Sequence, residues 1–315
     1  MTLVLVVVAL AVALPWAAVP AARGLARLLP PREAALALAG SAVLLAGSTV
    51  TVLAGLFHVP FLAGLEHLSL SGVVARWPAV VPVSCAAGTA LVVQAVRLAL
   101  RWRRQRALLA RAWDLAGDGT SDGDLLVVPG EDAEAFALPG HRGRPGRVVV
   151  SVGMLRALDP AERAVLLAHE RAHLRGRHHL LSAATDLAAA VHPALGRLGS
   201  DLGYHLERWA DERAARAVAD RRTAATAIAR AALAGAPSVR PDAVPLLSVT
   251  SGPVPRRVRA LLGPEPARPT GRGARAAVGL VAAVAVAVLL AVVLTYGLHE
   301  YVEYAAQVLR SHGTV

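Results

Sequence analysis

The chain has 315 residues, a formal net charge of +11 and 55% hydrophobic content, with charged residues at only 17%. That apolar share exceeds the roughly 45–50% of an ordinary soluble domain and points to an integral membrane protein with room for about one further domain. Every basic residue is arginine and the arginines flank apolar runs, so membrane orientation accounts for the charge and no nucleic-acid partner is expected.

Leu3–Ala22 is the first apolar run. It lacks a basic leader and further spans follow, so it reads as a transmembrane helix kinked at Pro15 rather than a signal peptide. Ala34–Phe57 and Ala79–Leu100 are the second and third runs, and Ala274–Leu298 is the fourth. Each is near the roughly 20 residues that cross a bilayer. Cys85 lies inside the third run, where it reads as a small core residue. With no second cysteine it cannot form an internal disulfide.

Arginine placement sets the orientation. Arg23, Arg27 and Arg32 follow the first span, only Arg76 (with Glu66) follows the second, and six arginines lie between Arg97 and Arg111. Arg268, Arg272 and Arg275 precede the fourth span. This alternation puts the amino terminus outside, residues 101–273 in the cytoplasm and the tail, 299–315, outside. Trp16, Trp77 and Trp102 fall at expected interfaces. The localisation that follows is the cell membrane, multi-pass, with the lipid bilayer as a partner.

The cytoplasmic segment opens with a helix over Arg101–Leu115. Gly117–Asp124 follows; its ligand positions fail the calcium-loop pattern, so a solvated turn is expected. Asp124–Val128, Ala135–Gly140 and Arg147–Val152 read as strands, and the last is a candidate edge for pairing with a peptide. Asp159-Pro160-Ala161-Glu162 is a helix start with Asp as cap, Pro in the first turn and Glu closing a capping box. Leu180–Leu198 is apolar but holds Asp186, His192 and Pro193, so it reads as a helix packed on the domain or lying at the interface. Glu207–Ala234 is helical, and the proline-rich 236–269 is loop with short helices.

The helix opened by Asp159 carries His169-Glu170-Arg171-Ala172-His173, an HExxH motif. Residues four apart share a helix face, so both imidazoles can meet one zinc ion. Zinc lowers the pKa of a coordinated water toward about 7, and Glu170 stands beside the first ligand as catalytic base. A catalytic zinc needs a third protein ligand and an open position. Glu207 and Asp211, again four apart, supply a candidate third ligand and a group to hold a ligand imidazole. One zinc per chain is implied.

HERAHLRGRH followed by ERWADERAA resembles the membrane zinc peptidases of the BlaR/MecR type, and the related HtpX and CAAX-prenyl-protease group. AFALPG, RVVVSVGML, DPAERAVLLAHE and PRRVRALL resemble further parts of the same domain, as do three spans before it and one after. The resemblance implies His169 and His173 as metal ligands, Glu170 as base, Glu207 as third ligand, Asp211 as its support and His178 as a supporting polar residue. The BlaR/MecR receptors carry a penicillin-binding sensor after the last span. Glu300–Val315 stands there in this sequence, so direct β-lactam sensing is not expected.

The expected fold is a mostly α multi-pass membrane protein of about four transmembrane helices with one α+β zincin-like metallopeptidase domain. The expected function is a membrane-bound zinc metalloendopeptidase acting on a protein or peptide substrate. By analogy the role is regulated proteolysis of a cytoplasmic transcriptional repressor. The alternatives are a membrane-protein quality-control protease and a non-catalytic zinc-binding membrane adaptor. His179, His192, His205 and Tyr204 lie near enough in sequence to steady an oxyanion, although packing roles are the simpler expectation. Arg256, Arg257 and Arg259 read as a solvated basic face, and His58 and His67 are too few for an external metal site.

Overall fold

The computed structural model describes residues 2–65, 70–76, 78–117, 119–235 and 253–266, with isolated residues between 279 and 308. The expected fourth span (274–298) and tail (299–315) therefore lie largely outside the described residues. Glu66, His67, Trp77, Arg268, Arg272 and Arg275 lie wholly outside them.

Long apolar helices come first: α1 (Thr2–Ala26), α2 (Pro31–Leu65), the short α3 (Leu70–Arg76) and α4 (Val80–Leu115). Pro15 and Pro20 both sit inside α1. Within α2 and α4, Pro31–Phe61 and Val80–Leu115 are long and apolar enough to cross a membrane, consistent with a membrane protein. At 1.5 Å per residue α4 is about 54 Å long, more than a bilayer core of roughly 30 Å. The expected third span and the expected helix over 101–115 are thus one continuous helix, since nothing between Leu100 and Arg101 breaks it. Cys85 is exposed on α4, not buried: the neighbouring Ser84 and Ala87 take the face turned to α2, and Ser84 Oγ donates to the Phe57 carbonyl at 2.8 Å.

A four-stranded sheet follows, built from β1 (Thr120–Asp122), β2 (Leu125–Val128), β3 (Ala135–Leu138) and β4 (Arg147–Ser151). The strand order is β1-β2-β4-β3; only β2 and β4 are parallel. β1 was not expected. The two-residue turn Gly123–Asp124, with Gly123 at φ 58°, closes a hairpin in place of the expected solvated turn. β4 is interior rather than an edge, because the residues after Leu138 fold back and pair β3 antiparallel along its free side. The open edge beside the helices is β3.

The sheet is covered on both faces. Val148, Val150 and Ala135 pack with Leu166, Met154 and Leu158 on one side. Val149, Leu126 and Leu138 meet Ala112, Trp113 and Ala116 on the other. Successive strand side chains alternate between faces, which is why the valine run of β4 serves two cores. Ser151 caps α5 (Val152–Ala157), its hydroxyl accepting from the Met154 N–H at 3.0 Å.

Next comes α6 (Pro160–Arg175), whose capping box forms as the sequence implied: Glu162 N–H donates to Asp159 at 2.8 Å and Asp159 N–H to Glu162 at 3.0 Å. α7 (His178–Val191) and a 3-10 turn (Pro193–Arg197) lead into α8 (Leu198–Val218), then α9 (Arg221–Ala234) and α10 (Val254–Leu262). The expected single helix over 207–234 is two, α8 starting nine residues earlier. They part at Ala219, left-handed at φ 55°, and Asp220 caps the second through the Arg222 and Thr223 N–H groups. The apolar 180–198 segment packs as α7 against α2 and α4, with Asp186 tied to Arg101 at 2.6 Å and to Gln105 at 2.9 Å.

The first two helices, α1 and α2, and the later helices share one core. Leu38, Ala42 and Leu45 of α2 and Ala22 and Ala26 of α1 pack with Leu195, Leu198, Leu202 and Leu206. A second core, with Val165, Ala214, Ala224, Ile228 and Leu261, binds α6, α8, α9 and α10 together.

Candidate metal centre

Two crossing helices build the centre. α6 presents His169 and His173 from consecutive turns, and α8 presents Glu207 and Asp211 in the same way. His169 Nε2 lies 3.1 Å from His173 Nε2 and 3.5 Å from Glu207 Oε2, and His173 Nε2 lies 3.4 Å from Glu207 Oε1. Four ligands at about 2.0–2.1 Å around a tetrahedral ion stand about 3.4 Å apart. The separation of the two imidazole nitrogens, and the distance of each to one of the two Glu207 oxygens, are close to that spacing, and two imidazoles with a carboxylate are a zinc donor set with one position open. Among the described residues these three form the group whose donor atoms converge, all within 4.8 Å of one another.

Each imidazole is held from behind. His169 Nδ1 faces Asp211 Oδ1 at 3.1 Å. His173 Nδ1 lies 2.8 Å from Nδ1 of His178, the first residue of α7, and the Trp209 ring lies 4.4 Å from the His178 ring. Arg177, left-handed at φ 50°, turns the chain so that α7 brings His178 back to α6. A substitution at Gly176 would crowd this contact, since a Cβ there would meet His178 Nε2 at 2.4 Å.

Arg257 is the residue that sequence reasoning misplaced. It is fully buried, not on a solvated face. Its Nε and Nη2 donate to the two Asp211 oxygens at 2.9 and 2.6 Å, and Nη1 lies 2.9 Å from Glu207 Oε2. A signal was available. Val254, Arg257, Val258 and Leu261 follow an i, i+3, i+4, i+7 pattern, so Arg257 shares the apolar stripe that buries α10. Arg256 and Arg259 are exposed as expected, with Arg256 lying 4.3 Å over the Tyr204 ring.

Burial and charge set the electrostatics. Burial pushes the Glu170 carboxyl up to about 7, and the nearby His169 only partly opposes this. Glu170 accepts from the Ala137 backbone N–H, so it lies against the open edge of β3, and its Oε1 has no hydrogen-bond partner among the described residues. Burial also pushes His173 down to about 3 and His178 to about 3. For His169 burial is again the largest influence, but Asp211 and Glu207 together outweigh it and raise the ring to about 10. Burial would raise Asp211; Arg257 and His169 reverse that and hold it at about 2. The centre without metal thus keeps a proton on His169 and ionised carboxylates on α8. A divalent cation would take the place of the proton on the Nε2 side.

The other histidines are engaged elsewhere. His192 Nδ1 accepts from the Ala194 N–H at 3.2 Å and its ring meets Trp16 edge-on. His205 packs on the neighbouring Tyr204 ring.

Residues 102–199 match the model of Peptidase family M48. The match takes in the end of α4, the sheet and the helix bearing His169, Glu170 and His173, and stops before Glu207. No curated protein and no solved structure matches the chain. The match supports a metallopeptidase of the group that includes the HtpX and CAAX proteases.

Proposed function

We propose that the chain is a membrane-bound zinc metalloendopeptidase with one zinc per chain, held by His169, His173 and Glu207. The observation that carries this reading is the convergence of His169 Nε2 and His173 Nε2, 3.1 Å apart, on the two oxygens of Glu207, at 3.5 and 3.4 Å respectively, beside a buried carboxylate, Glu170. Bound zinc would supply Lewis acidity, making water acidic and polarising a peptide carbonyl. Glu170 is the base. Its burial holds its pKa near the working pH, where it can take a proton from water and return it to the leaving amine. Asp211 and His178 fix the rotation and tautomer of the two imidazoles through their Nδ1 atoms. Arg257 keeps Asp211 and Glu207 ionised. An extended substrate segment is expected to pair with the open edge of β3, beside Glu170, in place of the β4 edge.

The donor arginines around residues 97–111 favour a cytoplasmic domain, with the amino terminus outside. Regulated cleavage of a cytoplasmic repressor follows from analogy with BlaR/MecR receptors, and membrane-protein quality control from analogy with HtpX proteases. Proteomics of a deletion strain separates them: one altered regulon favours the first, accumulating membrane-protein fragments the second.

The test pairs two variants in detergent-purified protein. Wild type should hold about one zinc, Glu207→Ala should lose it, and Glu170→Gln should keep it while losing internal cleavage of an unstructured protein. Zinc-free wild type after chelator-free purification would overturn the reading. Glu170→Gln retaining both zinc and biological function would favour the adaptor alternative.

A further inference from the structure

A second feature lies beside α6. Between α2, α6 and α8 is a cleft of about 700 Å³. Its walls carry Arg32, Arg171, Arg175, Arg213, Arg216 and Trp209, and no aspartate or glutamate. Arg171 is held by Asp124 at 2.7 Å and Arg216 by Glu265 at 2.8 Å. Arg32, Arg175 and Arg213 make no ion pair within 4 Å among the ion pairs of the described residues, and Arg175 is only near enough to Asp124 for its charge to lower that carboxyl. All three are exposed, and Arg32 lies 5.7 Å over the Trp209 ring.

Like charges facing one another across a concave wall repel, and the low-dielectric walls focus their field, so such a cleft favours an anion. Guanidinium forks match the oxygens of a phosphate two at a time. The location narrows the source. Arg32 stands in the first turn of α2, and Leu36, one turn further along that apolar helix, is 44% exposed and also lines the cleft. A cationic floor with an apolar lip at the start of a membrane helix fits a headgroup whose acyl chains lie along α2.

We propose that this cleft binds a phosphate-bearing anion, supplied by an anionic phospholipid headgroup or by soluble phosphate. The lipid source rests on α2 being a membrane span; the site itself does not depend on the peptidase reading. Trp209, which lines the cleft, also lies 4.4 Å from the His178 ring.

The experiment uses the full chain in detergent. Native mass spectrometry counts retained phosphatidylglycerol against phosphatidylcholine, and thermal midpoints are recorded with each lipid and with millimolar inorganic phosphate. Wild type should retain phosphatidylglycerol preferentially and gain stability from it. Arg175→Gln and Arg213→Gln should each weaken retention about fivefold. Ala217→Glu, at an exposed lining position, should do the same by placing a carboxylate in the cleft. A response to inorganic phosphate that these variants abolish supports the site with soluble phosphate as its source. Equal retention of both lipids with no phosphate response, or undiminished binding in the variants, overturns the proposal. A wild-type thermal midpoint in the absence of added lipid and phosphate shows that the variants fold whether or not the chain holds zinc, and keeps this outcome separate from that of the peptidase reading.

Discussion

Arg257→Ala tests the electrostatic frame of the centre directly. The wild-type guanidinium makes two bonds to Asp211, at 2.9 and 2.6 Å, and one contact to Glu207, at 2.9 Å. Arg257 and Asp211 are both fully buried, and Glu207 is nearly so. Removing one partner of a buried pair leaves the other charge uncompensated, at a cost of about 3–5 kcal/mol. Here two carboxylates lose a partner, so the upper part of that range is expected for the metal-free protein. That corresponds to a fall in thermal midpoint on the order of 10 °C for a domain of this size. Saturating zinc should restore part of the loss, since a cation beside Glu207 replaces some of the missing charge. The assay is thermal unfolding in detergent, with and without zinc, for wild type, Arg257→Ala and Arg257→Lys. Lysine keeps the charge without the fork, so it should fall between the other two. A metal-free Arg257→Ala midpoint indistinguishable from wild type would refute the account of Arg257 as counter-ion to both carboxylates.

Two shorter predictions follow. His178→Ala should weaken zinc binding about 10–100-fold, read by chelator competition, because His173 loses the group at its Nδ1; unchanged affinity would leave His178 a packing residue only. His205 is held at about 4, chiefly by burial, with Arg256 and Arg208 adding to the shift and Asp201 opposing it. The unfolded chain binds a proton below about 6.5 that the folded chain takes up only near 4, so stability is full above 6.5 and falls as pH drops through that window. The loss amounts to at most about 3 kcal/mol. His205→Gln should flatten that slope, and an unaltered pH profile would remove His205 as its source.

The parts of this protein legible in its sequence are those fixed by local spacing. HExxH and ExxxD each put two side chains on one helix face, and the capping box starts α6 where the Asp-Pro-Ala-Glu run says it should. What was not legible depends on neighbours distant in the chain. β4 looks like any apolar strand; only β3 returning along its free side makes it interior. The apolar spacing of Val254, Val258 and Leu261 marks the Arg257 face of α10 as buried, but its partner, Asp211, lies 46 residues earlier and no local pattern names it. The Gly123 hairpin and the Ala219 break are exceptions of another kind. Both are local, and their turn residues were present, but a polar Gly-rich run reads equally as a loop and a single alanine gives no warning of a left-handed turn.

The core that α1 and α2 share with the helices of the candidate metal centre leads to a last prediction. Leu195, Leu198, Leu202 and Leu206 are all nearly or fully buried, and they pack on α1 and α2 rather than on the sheet. A fragment of residues 101–266 would expose them. At about 1.5–3 kcal/mol for each side chain returned to water, the four leucines represent about 6–12 kcal/mol. That is comparable to the whole stability of a typical domain, about 5–15 kcal/mol. Glu207 follows Leu206 directly on α8, so loosening this face also displaces the third metal-binding side chain. The fragment should therefore aggregate or bind a hydrophobic dye, and should bind zinc far more weakly than the full chain. Sedimentation, dye binding and zinc titration of the fragment measure this. A soluble, monomeric fragment with native zinc affinity would show that the sheet and α6–α10 are sufficient. Failure of the fragment, with the full chain intact, means that α1 and α2 are part of the scaffold of the candidate metal centre, so any change in their packing reaches α8 without passing through the sheet.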